Sequence, residues 1–86
     1  MYEHGDHETT ANGHCVKCEA WKAGSQINYT VYIDGDNYTS GSSDDDFGRS
    51  SALDEAKHQS EWTAREITEG ILAKIGAEWV LQERAA

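Results

Sequence analysis

Residues 26–34, "QINYTVYID", alternate cleanly: Ile27, Tyr29, Val31 and Ile33 point one way, and Asn28, Thr30, Tyr32 and Asp34 the other. A period of two carried by β-branched and aromatic residues predicts a half-buried strand. "DGDN" follows. With Gly35-Asp36 as the central pair of a type II′ turn, Ile33 faces Tyr38 and Tyr32 faces Thr39, which puts Tyr38 on the core side. The return strand, "NYTSGSS", is polar and reads as a sheet edge. "SDDDFGRSS" is a turn-rich link with Phe47 as an anchor. Ser51 then caps a helix, with Asp54 as its box partner. Leu53, Ala56, Ser60, Ala64, Ile67, Ile71 and Ile75 recur at spacings of three and four, an apolar stripe that predicts one helix running to Ile75 and stopped by Gly76. Such a helix would be roughly 37 Å long, whereas a strand of this length spans about 25 Å. It should overhang the sheet, bend, or break near Ser60. "EWVLQE" reads as a last strand with Trp79 and Leu81 inward.

The expected architecture is α+β, in the order β-β-α-β: a three-stranded antiparallel sheet of order 2-1-3, one long helix on one face, and a right-handed crossover. The other face carries Thr30, Tyr32, Thr39 and Val80. Residues 26–86 form this domain. Residues 1–25, rich in His, Gly, Thr and acids without an apolar period, are expected to be irregular unless something orders them.

Charge narrows the function. Sixteen acidic side chains face seven basic ones, a net charge of −9 over 86 residues. Direct nucleic-acid binding rests on Lys and Arg displacing counterions, so it is disfavoured, as are anionic membranes. Basic partners are attracted and their encounter accelerated. No apolar run is long enough to span a bilayer, and the first residues do not resemble a signal peptide. The expectation is a cytoplasmic chain with reduced thiols. "NYT" at Asn28–Thr30 and Asn37–Thr39 then reads as strand chemistry rather than glycosylation.

Candidate chemistry gathers in "NGHCVKCEAW". Cys15-x-x-Cys18 is the spacing at which a knuckle aims two thiolates at one ion, and zinc takes four such ligands. His4 and His7 would complete a structural site, with His14 as substitute, and a zinc ion would order the segment that hydrophobicity cannot. The competing reading is an unliganded tail. A thioredoxin-like redox centre is weaker, because no strand is expected before the motif. "DGDN" and "SSDDDFG" lack the glycine and glutamate positions of a calcium loop. No nucleophile is positioned by spacing, so the chain is not expected to be an enzyme, and His58 reads as a solvated surface side chain. Trp62 falls on the helix face opposite the isoleucines, among His58, Arg65, Glu66 and Glu69. It is either an interface anchor or is covered by the amino-terminal segment, with Trp21 beside it.

In size, acidity, the stretch "QINYTVYIDGDNYTSG" and the long helix, the chain resembles small acidic phage-encoded anti-CRISPR proteins. The resemblance is one of overall character, carries no diagnostic motif and specifies no residue. It implies an inhibitor that mimics the charge of DNA and occupies a basic, nucleic-acid-binding surface of a protein or nucleoprotein in the host cytoplasm. From the residues, Asp44, Asp45 and Asp46 would supply steering charge, and Trp62, Glu66 and Glu69 the helix-side contact. The alternatives are a zinc-stabilised regulatory module and an antitoxin-like partner subunit.

Overall fold

Three tight turns lay down the first half of the chain as a meander. Asn12 and Gly13 both have positive φ (49° and 81°), the backbone of a type I′ turn, as do Asp34 and Gly35 (53° and 86°). Between them, Gly24 alone is positive at the Gly24-Ser25 turn, the II′ pattern. The strands they join are β1 (Glu3–Ala11), β2 (His14–Ala23), β3 (Gln26–Ile33) and β4 (Asp36–Asp44). Helix α1 (Ala52–Thr68) and a hairpin of β5 (Leu72–Ile75) and β6 (Glu78–Leu81) follow. These elements come from a computed structural model that describes residues 3–44 and 51–82. The link around Phe47 lies outside the described residues.

The sheet is four-stranded and antiparallel in the order β1-β2-β3-β4, and β5-β6 forms a separate two-stranded sheet. This overturns the expected β-β-α-β, three-stranded arrangement in two places. Residues 1–25 are not an irregular segment: two strands run from Glu3 to Ala23. The carboxy-terminal strand pairs with β5 and not beside β3. The reason for the first miss is visible in the inward residues. Gly5, His7, Thr9 and Ala11 of β1 show no apolar period, yet they face Ala20, Cys18, Val16 and His14 of β2. The alternation of Val16, Cys18 and Ala20, all fully buried, was present in the sequence within the very stretch that suggested a metal knuckle.

The β3–β4 hairpin is also one residue out of the expected register. Its central pair is Asp34-Gly35, so Ile33 faces Asp36 and Tyr32 faces Asn37, and a bulge between Val31 and Tyr32 then brings Val31 opposite Thr39. Tyr38 is the extra residue of that bulge. It still packs against the core as expected, because a bulge turns a side chain without ending the strand pairing.

The helix covers one face of the sheet, chiefly β1 and β2. Its buried positions are Ala52, Ala56, Ser60, Thr63 and Ile67, mostly small. Small residues let the helix approach closely. A Cβ on Gly5 would lie 2.4 Å from the Leu53 nitrogen, so β1 needs a glycine under the first turn. Ser51 caps the helix as expected, its hydroxyl accepting from the Asp54 N–H (3.1 Å). A second free N–H, that of Ala52, donates to Glu3 Oε2 across the interface (2.7 Å).

The helix ends at Thr68, not Ile75. Gly70, with φ of 77°, takes the left-handed position; the Gly70 N–H donates to the Ile67 carbonyl and the Ile71 N–H to that of Glu66. This pair of bonds is the Schellman motif. Asn12 Nδ2 adds a third contact, donating to the Ile67 carbonyl (3.2 Å). At 17 residues the helix is about 25 Å long, which matches the strands and removes the expected overhang. Gly76 instead opens the β5–β6 turn, with φ of 63°. The hairpin docks through Leu72, which is buried, and Trp79, which packs on the core and meets the His14 ring edge-on at 4.9 Å. Leu81, expected inward, is exposed.

Candidate functional site

The four strands bury one face under α1 and leave the other uncovered by any described element. On that open face the register lines up rows across the strands: His4, Trp21, Asn28 and Ser42; Asp6, Glu19, Thr30 and Ser40; Glu8, Lys17, Tyr32 and Asn37. Alternation is the cause, because each outward residue is the neighbour in sequence of an inward one. The rings of His4 and Trp21 lie 5.4 Å apart. Lys17 Nζ reaches Glu19 along its own strand at 3.5 Å.

A cavity of about 360 Å³ opens on this face, lined by Glu8, Cys15, Lys17, Glu19, Tyr32 and Gly35. Its floor is the outward face of β2, at Cys15, Lys17 and Glu19. Glu8 from β1 and Tyr32 from β3 form its walls, and the β3–β4 turn closes one end. Partial burial, together with the charge of Glu8 and a hydrogen bond to it, raises the Cys15 thiol above its ordinary range. Among the described residues Glu8 has no ion-pair partner. At the turn, Asp34 is tied twice: Oδ1 accepts from the Cys15 N–H (2.9 Å) and Oδ2 lies 2.7 Å from His14 Nδ1. The backbone bond first, and His14 second, hold its carboxyl below the usual range.

The proposed zinc ligands are not brought together. Cys15 and Cys18 lie three apart on a continuous strand and therefore point to opposite faces. Cys18 is fully buried under the helix, and burial, with Glu55 nearby, pushes its thiol up to about 12. His7 shares that inner face, its Nδ1 2.8 Å from the Ser60 hydroxyl. Ser60 in turn donates to the Lys57 carbonyl (3.1 Å), so the Nδ1–H of His7 is the donor of the pair. His4 lies outward beside Trp21, and His14 is held by Asp34. Both cysteines are free thiols. Among the described residues no three His, Cys, Asp or Glu side chains converge on one point.

The helix-side residues fare differently. Trp62 is 53% exposed and is not covered by the amino-terminal strands. Its indole hydrogen-bonds Glu66, whose carboxyl burial raises and this bond partly restores. His58 lies beside it with ring centroids 6.4 Å apart, and Glu69 is exposed at the helix cap. Asp44 is exposed at the end of β4; Asp45 and Asp46 lie outside the described residues. Of the open face read from the sequence, Thr30 and Tyr32 hold their place, whereas Thr39 stands opposite buried Val31 and Val80 belongs to the β5–β6 sheet; Glu8, Glu19 and Trp21 were missed, because their strands were not foreseen. The signal was the alternation through "HCVKCEAW", headed by Asn12-Gly13.

Fold and site together define a small acidic α+β module with an uncovered sheet face. No family model, no curated protein and no solved structure matches the chain. Among the described residues no helix is long and apolar enough to cross a membrane.

Proposed function

We propose that the protein is a binding module that docks on a basic protein surface and blocks it, as an inhibitor of the anti-CRISPR type does when it takes the place of nucleic acid. The observation that carries this reading is the open sheet face, where Trp21, Tyr32 and His4 stand among Asp6, Glu8 and Glu19 in a chain of net charge −9. Aromatic rings supply rigid contact area, and the carboxylates supply complementarity to Lys and Arg. This assignment moves the main contact from the helix to the sheet. Trp62 on the opposite side remains available for a second contact.

The test uses the immobilised full chain and a nuclease-treated bacterial lysate. Each retained protein is then purified and assayed singly for nucleic-acid binding. The expected result is a basic partner that elutes with moderate salt and whose nucleic-acid binding this protein inhibits competitively. Retained proteins whose nucleic-acid binding is unaffected, or binding that is indifferent to salt, would overturn the reading.

A further inference from the structure

We infer that the cavity on the open sheet face is a receptor for an arginine side chain presented by the partner protein. The inference deepens the reading above and rests on it for the statement that the ligand belongs to a protein. Its basis is the chemistry of the lining. Glu8 and Glu19 offer two carboxylates from adjacent strands, and Tyr32 adds an aromatic side chain from a third. A guanidinium is planar, always charged and weakly hydrated; it can bridge two carboxylates while stacking on a phenol ring, which an ammonium cannot do. The cavity, at about 360 Å³, stands at the lower end of the range of small-ligand sites, roughly 300–1,000 Å³. That suits one inserted side chain.

The state of the lining supports the same occupant. Glu8 has no ion-pair partner among the described residues, and the Cys15 thiol beside it feels its negative charge. The one cation in the lining, Lys17, stands across from Glu8 in the register but turns along its own strand to Glu19. An incoming guanidinium pairs with Glu8 and competes with Lys17 for Glu19. Lys17 therefore acts against arginine binding, which yields a prediction opposite in sign to that for the carboxylates.

The test is a nuclear magnetic resonance titration of the isotope-labelled full chain at low salt. The probe is N-acetyl-arginine methylamide, with the lysine and the neutral citrulline analogues as controls. Saturable shifts should centre on Glu8, Lys17 and Tyr32, and citrulline should produce none. Lysine should bind about fivefold more weakly or worse, for want of stacking and of a planar fork. Glu8→Gln should weaken arginine binding about tenfold, the loss of one charge-assisted contact. Lys17→Met should strengthen it. Dispersed amide spectra of both variants confirm that they are folded. Shifts that do not saturate, that appear equally with lysine, or that persist unchanged in Glu8→Gln would overturn the inference, as would weaker binding in Lys17→Met. The two proposals fail separately. Competitive, salt-sensitive binding of a basic partner that is unchanged by Glu8→Gln removes the arginine receptor and leaves the docking function. Arginine binding at the cavity in a chain that blocks no basic protein does the reverse.

Discussion

At the scale of single residues, the fold turns on a few close contacts where even one added or lost atom should be felt. Gly5 lies under the first turn of α1, and a methyl group there would meet backbone atoms of Ala52 and Leu53 below 3 Å. Gly5→Ala should therefore lower stability by about 1–3 kcal/mol through overpacking, read as a shift of the denaturant midpoint. Ser60 is fully buried and bonded to His7. Ser60→Ala leaves the His7 Nδ1–H without its acceptor and should cost about 1–3 kcal/mol, whereas a change at exposed His58 should stay within about 0.5 kcal/mol. Cys18 supplies a pH signature. Its thiol is raised to about 12 in the folded state, so its contribution to stability is complete below the ordinary thiol value of 9.0 and is lost as pH rises from there. Between about pH 9 and 11 the wild type should lose more stability than Cys18→Ala does over the same interval. Equal losses would show that the thiol ionises as freely folded as unfolded. The two cysteines should also separate by reactivity: iodoacetamide should modify half-exposed Cys15 in the native protein and Cys18 only after unfolding.

At the scale of elements, the boundaries are set by turns and caps that the apolar pattern does not register. Ile71 and Ile75 continue the helical stripe of Ile67 in sequence, yet Gly70 ends the helix before them. Ile67 is buried and Ile75 is 63% exposed on the hairpin. Ile67→Ala should cost about 2–5 kcal/mol, while Ile75→Asp should leave the denaturant midpoint nearly unchanged, within about 0.5 kcal/mol. A large loss with Ile75→Asp would restore the longer helix. Asn12 serves two elements: it occupies a left-handed turn position and donates to the last turn of α1. Asn12→Ala should cost about 1–2 kcal/mol from the backbone strain alone. Binding of zinc at the Cys15-x-x-Cys18 spacing would require β2 to break between the two thiols. Titration with cobalt(II) should accordingly produce no thiolate charge-transfer band in the folded protein; a band at one equivalent would mean that the strand rearranges around a metal.

For the whole molecule, one face of the sheet carries the core and the other is left uncovered by any described element, the face on which the proposed docking rests. The inner face is closed by small residues of α1 and by the β5–β6 hairpin through Leu72 and Trp79. The outer face holds hydrogen-bonding and charged groups that contribute little to the core. Glu8→Gln and Tyr32→Ala should therefore weaken partner binding while shifting the melting temperature by only a few degrees, in contrast to the buried substitutions above. Steering by the net charge of −9 should appear as an association rate that falls steeply with salt.

From the residues alone, the β3 strand, the Ser51 cap, the core position of Tyr38 and the outward side of Tyr32 were legible, because each depends on local periodicity or on a capping hydroxyl; for Trp62 two readings stood, and the fold decided for exposure. The mixed α+β character was legible for the same reason. The β1–β2 hairpin was announced only by Asn12-Gly13 and the alternation of Val16, Cys18 and Ala20; its inward residues on β1, Gly5, His7, Thr9 and Ala11, are small or polar and show no apolar period, and the helix packs over them with Gly5 and Ala11 buried and His7 and Thr9 partly so. Tertiary structure reinforces, through the Asn12 bond, a helix stop that the Gly70 cap sets locally against a stripe that Ile71 and Ile75 would extend. It alone decided that the two cysteines part company. A strand turns each successive residue to the opposite face, so residues three apart diverge, and the pairing of β2 between β1 and β3 keeps it a strand; the same pairing sets Glu8, Lys17 and Tyr32 side by side from three separate segments of the chain.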